Sequence, residues 1–318
     1  MTDPKVSVII PAYNAESTIE KCVESVLEQD YNNIECVIIN DGSTDKTDII
    51  CQSINDNNSC VKYIRTTNHG VSHARNIGLD AATGDYILFL DSDDFLLEES
   101  ISSRVKMMSE DSLVICGLCE DSIDNSYVID KDIFVDDIQE FLVDLFYMKR
   151  YGYQGYSVNK IYSAKIIRDN NIRFDEEIYY NEDRLFVFEY ALHCAHVYYV
   201  DKILYCYVQV SNSAMYSVKH GEYSHKQITE LIAFTKMLSL APSKKIRNAI
   251  EYDCFRCCCL VLYRIPKDKE WSIDRKTVVK LRNKCFWHYA FREWRFGTIV
   301  FKTKMIIRML FSILSIKL

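Results

Sequence analysis

The chain has 318 residues, 48% hydrophobic and 26% charged. This is an ordinary globular balance, long enough for one large domain with an extension or for two domains. The net charge of −7 is uneven: from Arg282 onward eight basic residues face Glu293 alone, so the tail carries +7 and the body −14. That argues against nucleic acid as the body's ligand and leaves a membrane surface open to the tail.

In chain order, "KVSVIIP" reads as a strand rich in β-branched residues. Ser17-Thr18-Ile19-Glu20 then matches a capping box, and Ile19, Cys22, Val23, Val26 and Leu27 follow at helical spacing. "IECVIIND" is the second strand, and Ser43 or Thr44 is placed to cap a helix running through Ile49 and Ile50. "VKYIR" is a third strand, "VSHARNIGLDAA" a helix, "DYILFLD" a fourth strand and "SLVICGLC" a fifth. Near-continuous apolar strands separated by short helices predict an α/β fold, a mainly parallel sheet with helices on both faces. Beyond residue 135 the pattern turns helical, over 136–147, 157–168, 181–194, 223–240 and 243–262, with a strand-like "YYVDKILYCYVQ" at 198–209. No signal peptide is expected, since "VSVIIPAYN" begins after five residues, and the thirteen cysteines read as reduced, buried thiols of a cytoplasmic protein. The Cys-x-x-Cys spacings at 116–119 and 254–257 make a zinc site conceivable, but 116–119 falls in a strand, where residues three apart face opposite sides.

Parallel sheets bind ligands at the C-terminal ends of their strands. Three such ends carry polar chemistry here: "PAYNAE", "NDGSTD" and "DSDD". In an extended segment Asp91 and Asp93 project to the same side, with Ser92 and Asp94 facing elsewhere. Adjacent carboxylates raise each other's pKa unless a cation sits between them, and hard oxygen ligands suit Mg²⁺ or Mn²⁺ completed by substrate phosphates. The implied partner is a metal-bound diphosphate, with Arg75 as a second cation. An acidic turn capping the next helix is the competing reading.

The segments "VSVIIPAYNAESTIEKCVESVLEQDYNNIECVIINDGSTDKT" and "NHGVSHARNIGLDAATGDYILFLDSDD" resemble the family 2 glycosyltransferases with the GT-A fold over about residues 5–96. The resemblance implies a nucleotide-sugar donor, with UDP the nucleotide, and a divalent metal at an aspartate-x-aspartate motif, Asp91 and Asp93. It also implies transfer with inversion at the anomeric carbon. Position by position, Pro11, Ala12 and Tyr13 would line the nucleobase pocket and Asp41 would contact the base. Gly70 and Arg75 would lie along ribose and diphosphate. Asp91, with Ser92 beside it, would reach ribose or metal, and Asp93 would hold the metal. "YYNEDRLFVFEYALH" is similar to the family's glutamate-aspartate motif, which makes Asp183 the catalytic base. Asn181 is placed to cap that helix. A first-turn carboxylate is favoured by the helix dipole without any catalytic duty, and the dipole weakens it as a base. Burial or the charge of Glu182 has to oppose that effect.

"VNKIYSAKII" is similar to the family's non-processive members, and it offers Lys160 to donor phosphate or acceptor. Gln154, Gln209 and Gln227 are not followed by Arg-Trp, so the processive synthase motif is absent and one sugar per encounter is expected. Residues 209–223 are polar and aperiodic, either a lid that orders on donor binding or a connecting loop. Lys302, Lys304 and Arg308 interrupt the apolar run 298–318, which fits an interfacial amphipathic helix better than a membrane span. A helix docked on the core is the alternative. The division expected is 1–120 for nucleotide-sugar binding, 121–222 for acceptor and base, and 223–318 for a helical extension. The activity expected is hexosyl or N-acetylhexosaminyl transfer to a lipid-linked glycan acceptor in surface-polysaccharide synthesis. Two rivals are an aspartate-nucleophile phosphohydrolase and a membrane-surface sugar-nucleotide binder without turnover.

Overall fold

The computed structural model describes residues 3–120, 122–127, 132–147, 155–209, 228–264 and 275–296. The tail 298–318 and all of the 209–223 lid or loop except Gln209 lie outside them. Strands β1 (Val6–Ala12), β2 (Ile34–Asp41), β3 (Val61–Thr66) and β4 (Tyr86–Phe89) pair in parallel, in the order β3-β2-β1-β4. The sheet continues through β9 (Lys160–Ser163), β6 (Ser112–Glu120), β10 (His196–Tyr207) and β5 (Phe95–Leu96). β6 and β10 are parallel, whereas β9 runs antiparallel to both β4 and β6 and β5 antiparallel to β10. β7 (Ser122–Tyr127) and β8 (Ile133–Val135) add antiparallel edges to β6 and β10. The parallel expectation holds for the first half, and the second half is mixed.

Period-two alternation explains why both faces need a cover. Val37 and Ile39 of β2 cluster with Ala74 on α3 (Val71–Ala81). Cys36 and Ile38, one residue out of phase, join the main core with Cys22, Val23 and Val26 of α1 (Ile19–Leu27) and Cys51 of α2 (Thr47–Asn57). Each such fully buried aliphatic side chain contributes about 1.5–3 kcal/mol. α3 lies so close to β1 that a Cβ on Gly78 would sit 2.3 Å from Ile9 Cγ2. We expect Gly78→Ala to lower stability by about 1–3 kcal/mol in urea melts, because the sheet has to move to admit one methyl group.

Several local expectations need correction. The capping box does not form: Thr18 occupies the N-cap without a side-chain cap, its hydroxyl reaching Ala15 O at 3.4 Å. α2 starts at Thr47, so Ser43 and Thr44 lie too early to cap it; Asp45 Oδ1 accepts the Thr47 N–H at 3.0 Å. The helix expected over 157–168 is strand β9 followed by α6 (Ala164–Asp169), because Lys160–Ser163 is drawn in to bridge β4 and β6. Tertiary pairing overrides local pattern there. The remaining helices are α4 (Ser100–Val105), α5 (Ile138–Tyr147), α7 (Glu182–Ala191), α8 (Thr229–Leu240), α9 (Lys244–Arg264) and α10 (Arg275–Phe296). Among the described residues, no helix is long and apolar enough to cross a membrane.

Candidate active site

The sheet reverses its winding at β1, which lies between β2 and β4. A crevice is expected beyond the C-terminal ends of such strands. The loops there are laced together by their polar side chains. Asn14 N–H donates to Ser43 Oγ at 3.0 Å, and Asn14 Oδ1 accepts from Thr44 N–H at 2.8 Å. Asn14 itself sits at φ 50°, a left-handed conformation that asparagine tolerates. Asp41, buried, accepts the N–H groups of His69 (2.9 Å) and Gly70 (2.8 Å). It thereby clips the end of β2 to the loop that opens α3. Gly70 takes φ 98° there, a turn that would strain any residue with a Cβ. Pro11 and Ala12 are buried under this rim and Tyr13 is 50% exposed on it.

β4 stops at Phe89, before the carboxylates rather than at Asp91, and residues 91–94 form a turn closed by Asp94 N–H to Asp91 O at 3.0 Å. The turn, not an extended pleat, brings Asp91 and Asp93 together. Burial first, then the neighbouring Asp91 charge, pushes Asp93 up to about 6. Asp94 faces inward. Fully buried, it accepts from Tyr205 Oη and, at 2.8 Å, from Val208 N–H, and burial holds its carboxyl well above the usual range. Tyr205, on β10, also meets Asp91 N–H at 3.5 Å, so one phenol fixes both ends of the acidic turn. Nothing in the alternating "ILYCY" pattern distinguishes Tyr205 from a core aromatic. Tyr205→Phe is expected to cost about 1–3 kcal/mol in a thermal or urea melt, since it withdraws a donor from a buried carboxyl.

Arg75 joins the two halves of the site. It is 3% exposed; Nη2 donates to Asp91 Oδ1 at 2.8 Å and Nη1 to Asp183 Oδ1 at 2.7 Å, with Glu182 Oε1 at 3.9 Å. Its guanidinium lies 5.1 Å from the Phe174 ring centre, and the three carboxylates outweigh burial to raise its pKa. Phe174 is stacked on Phe186 at 4.2 Å, and Phe89 meets both edge-on at 5.1 and 5.5 Å. Phe89 precedes Asp91 by two residues and Phe186 follows Asp183 by three, so this aromatic knot holds the end of β4 against the start of α7. Such pairs contribute about 0.5–1.5 kcal/mol each beyond their buried area.

At the start of α7, Asn181 occupies the N-cap in a left-handed conformation but makes no side-chain cap. Its amide instead donates to Glu230 Oε1 of α8 at 3.2 Å. Burial, then the Asp183 charge, pushes Glu182 up to about 8. At neutral pH Glu182 therefore keeps its proton, and the expected opposition from its negative charge is weak. Since its folded pKa is raised, its contribution to stability is full below about 4.5 and is lost as pH climbs toward 8. Glu182→Gln should flatten the dependence of melting temperature on pH between those limits. A variant as pH-sensitive as the parent would contradict this assignment.

Lys160 is fully buried in β9, where Nζ donates to Tyr156 O (2.7 Å) and Asn159 Oδ1 (2.9 Å), and burial lowers it to about 7. It is a strand residue, not a helical one facing a ligand. All thirteen cysteines are free and eleven are buried, Cys116, Cys119, Cys254, Cys257 and Cys258 among them.

Asp91 and Asp93 fit a divalent cation. Arg75 takes one oxygen of Asp91 at 2.8 Å, and among the described residues Asp93 beside it makes no ion pair. No group of three or more histidine, cysteine or acidic side chains among the described residues is arranged to hold a metal. These two carboxylates would therefore serve as a partial ligand set, completed by substrate phosphates and water.

The chain shares its fold with solved glycosyltransferase structures. Staphylococcus aureus TarS in complex with UDP-GlcNAc superposes with a TM-score of 0.61 at 20% identity, over 92% of each chain. The mannosyltransferase PcManGT of Pyrobaculum calidifontis, in complex with GDP-Man and Mn²⁺, gives 0.58 at 15% identity over 99% of this chain and 86% of that one. A Campylobacter jejuni GalNAc(5)-diNAcBac-PP-undecaprenol β-1,3-glucosyltransferase is 31% identical over 189 residues, covering 58% of this chain and 59% of that enzyme. The model of the family "Glycosyl transferase family 2" matches residues 7–171, about half of the chain and every strand of the crevice. The chain belongs to glycosyltransferase family 2.

Proposed function

We propose that this transferase moves one sugar, with inversion, from a UDP-sugar to a hydroxyl of a lipid-linked glycan in bacterial surface-polysaccharide synthesis. The observation that carries the reading is the Asp91–Arg75–Asp183 bridge, which ties a phosphate-side carboxylate to a base-side carboxylate through one buried cation. On this reading Tyr13, Pro11 and Ala12 flank the nucleobase, Asp41 reaches its edge, and Gly70 and Ser92 border ribose and diphosphate. Asp93, with the second oxygen of Asp91, would hold Mn²⁺ or Mg²⁺. Bound there, the cation supplies charge neutralisation for the departing diphosphate.

Asp183 gives one oxygen to Arg75 and leaves the other for the acceptor. The acceptor hydroxyl forms its bond to the anomeric carbon from the face opposite the phosphate. Its proton passes to Asp183, and the bonding pair leaves with the nucleoside diphosphate. Arg75 acts as a positioning residue, fixing the reach between the two carboxylates. The Campylobacter relative's acceptor, named as a diphosphate-linked undecaprenol, supports the lipid-linked acceptor here, and the UDP-GlcNAc of TarS supports a UDP donor. The test is nucleotide release by purified protein with Mn²⁺ across a panel of UDP-, GDP- and dTDP-sugars. A UDP-sugar should be turned over, and EDTA should abolish the release until Mn²⁺ is restored. Turnover unaffected by EDTA would remove the metal from the account.

A further inference from the structure

The match to the family model ends at residue 171, so α7 and the helices packed on its first turn lie beyond it. The Asp183 carboxylate is tied to Arg75, but the backbone that carries it is held by the helical extension. On one side of the Glu182-Asp183 pair, Asn181 Nδ2 donates to Glu230 Oε1 of α8 at 3.2 Å. Two residues earlier, Tyr179 N–H donates to Thr229 Oγ1 at 3.0 Å. On the other side, Arg184 Nη1 donates to Asp253 Oδ2 of α9 at 2.7 Å. The two clamps are themselves joined: Cys257, four residues after Asp253 on α9, donates its thiol to Glu230 Oε2 at 2.9 Å. Gly155 also packs on Arg184, where a Cβ would lie 3.0 Å from Nε.

These contacts cost more than a plain helix start requires. Asn181 has the residue type and the place of an N-cap, yet its amide is spent on Glu230, and its φ of 67° is a left-handed conformation that needs support. The Arg184 and Asp253 side chains are only 13% and 11% exposed. A buried ion pair adds little net stability over apolar residues of the same volume, but it does fix a separation. Separation is what a general base needs. It has to sit within hydrogen-bond reach of the proton it takes, and a misplacement of about 1 Å costs about 10²-fold in rate.

We propose that Glu230 and Asp253 are positioning residues for the transfer: acting through Asn181 and Arg184, they hold the turn on both sides of Asp183 and set its reach to the acceptor hydroxyl. The helical extension then belongs to the active site. The proposal rests on the glycosyltransferase reading and on Asp183 as its base.

The experiment uses the full chain with Mn²⁺ and follows nucleotide release from whichever UDP-, GDP- or dTDP-sugar is turned over fastest, with water in place of the acceptor hydroxyl. Glu230→Met, which keeps the side chain's bulk, and Asn181→Gly, which suits a positive φ, remove one hydrogen bond from its two ends. Each should lower kcat about tenfold, with KM for the donor within about twofold of the parent. Combined, they should lower it no further than the worse of the two, because they break the same contact. Glu230→Gln and Asp253→Asn still accept from Asn181 and Arg184 and should stay within about threefold of the parent, whereas Asp253→Ala should fall with Glu230→Met. On an Asp183→Asn background none of these substitutions should lower kcat again. That arm separates placement of the base from support of the fold. A further loss of the same size on that background would overturn the proposal, since Glu230 and Asp253 would then only brace the structure. So would parental kcat in both Glu230→Met and Asn181→Gly while Asp183→Asn is impaired. Circular dichroism checks each variant, and Asn181→Gly carries the test should Glu230→Met not fold. Parent protein that releases nucleotide from no donor sinks the transferase reading together with this proposal. An unimpaired Asp183→Asn overturns the proposal by removing the base on which the clamps act.

Discussion

Asp183→Asn should reduce sugar transfer by about 10²–10⁴-fold while leaving donor affinity within a few-fold of the parent. The amide is the same size and still accepts from Arg75 Nη1, so the bridge seen at 2.7 Å survives in weakened form. What disappears is the ability to take the acceptor's proton. A steady-state comparison of kcat/KM, with nucleotide binding followed by calorimetry, separates the two effects. Unchanged transfer would rule out Asp183 as the base and point back to a binding protein or to another reaction. Phosphomonoester hydrolysis dependent on Asp91 but not on Asp183 would favour the phosphohydrolase alternative. Glu182 is a poor substitute base at neutral pH, because burial keeps its carboxyl protonated up to about 8.

Arg75→Met should have the largest effect on the molecule as a whole. The substitution keeps length and apolar bulk over Phe174 but removes the only cation within reach of Asp91, Asp183 and Glu182 among the described ion pairs. Breaking a buried charge cluster by deleting one partner costs about 3–5 kcal/mol. Transfer should also fall by orders of magnitude, because the two carboxylates then repel instead of being held at a fixed separation. Urea denaturation gives the first quantity and initial rates the second. Arg75→Lys is the informative companion: it restores charge but not the forked geometry, so stability should recover more than activity. A Met variant as stable as the parent would show that the bridge is not what holds α7 to the end of β4.

The sites at the strand ends were readable because their signals are local. β-Branched runs announce β1 and β2, an aromatic and aliphatic run announces β4, and polar residues crowd soon after each. Asp91 and Asp93 stand out in that arrangement, Arg75 as a cation on the helix before β4, and Asp41 by the family resemblance. That Arg75 touches Asp183, 108 residues away, was not readable, because no spacing rule links α3 to α7. The link is made by packing, through Phe89, Phe174 and Phe186. Asp94 and Tyr205 show the same limit: a third carboxylate in a row gives no sign that it turns inward until β10 arrives beside it. β9 was misread as helix for a related reason. "KIYS" has too few residues to declare a period, and it becomes a strand because β4 and β6 leave a slot between them.

The proposed transfer requires carboxylates at the end of β4 to hold a divalent ion against a nucleoside diphosphate, facing Asp183. Crystals grown with UDP and Mn²⁺, with diffraction recorded at the manganese absorption edge, test it most directly. An anomalous peak is expected in direct contact with an Asp93 carboxylate oxygen and with diphosphate oxygens, on the side of the crevice that Asp183 faces. A peak bound elsewhere, or UDP seated away from the ends of β1, β2 and β4, would contradict it.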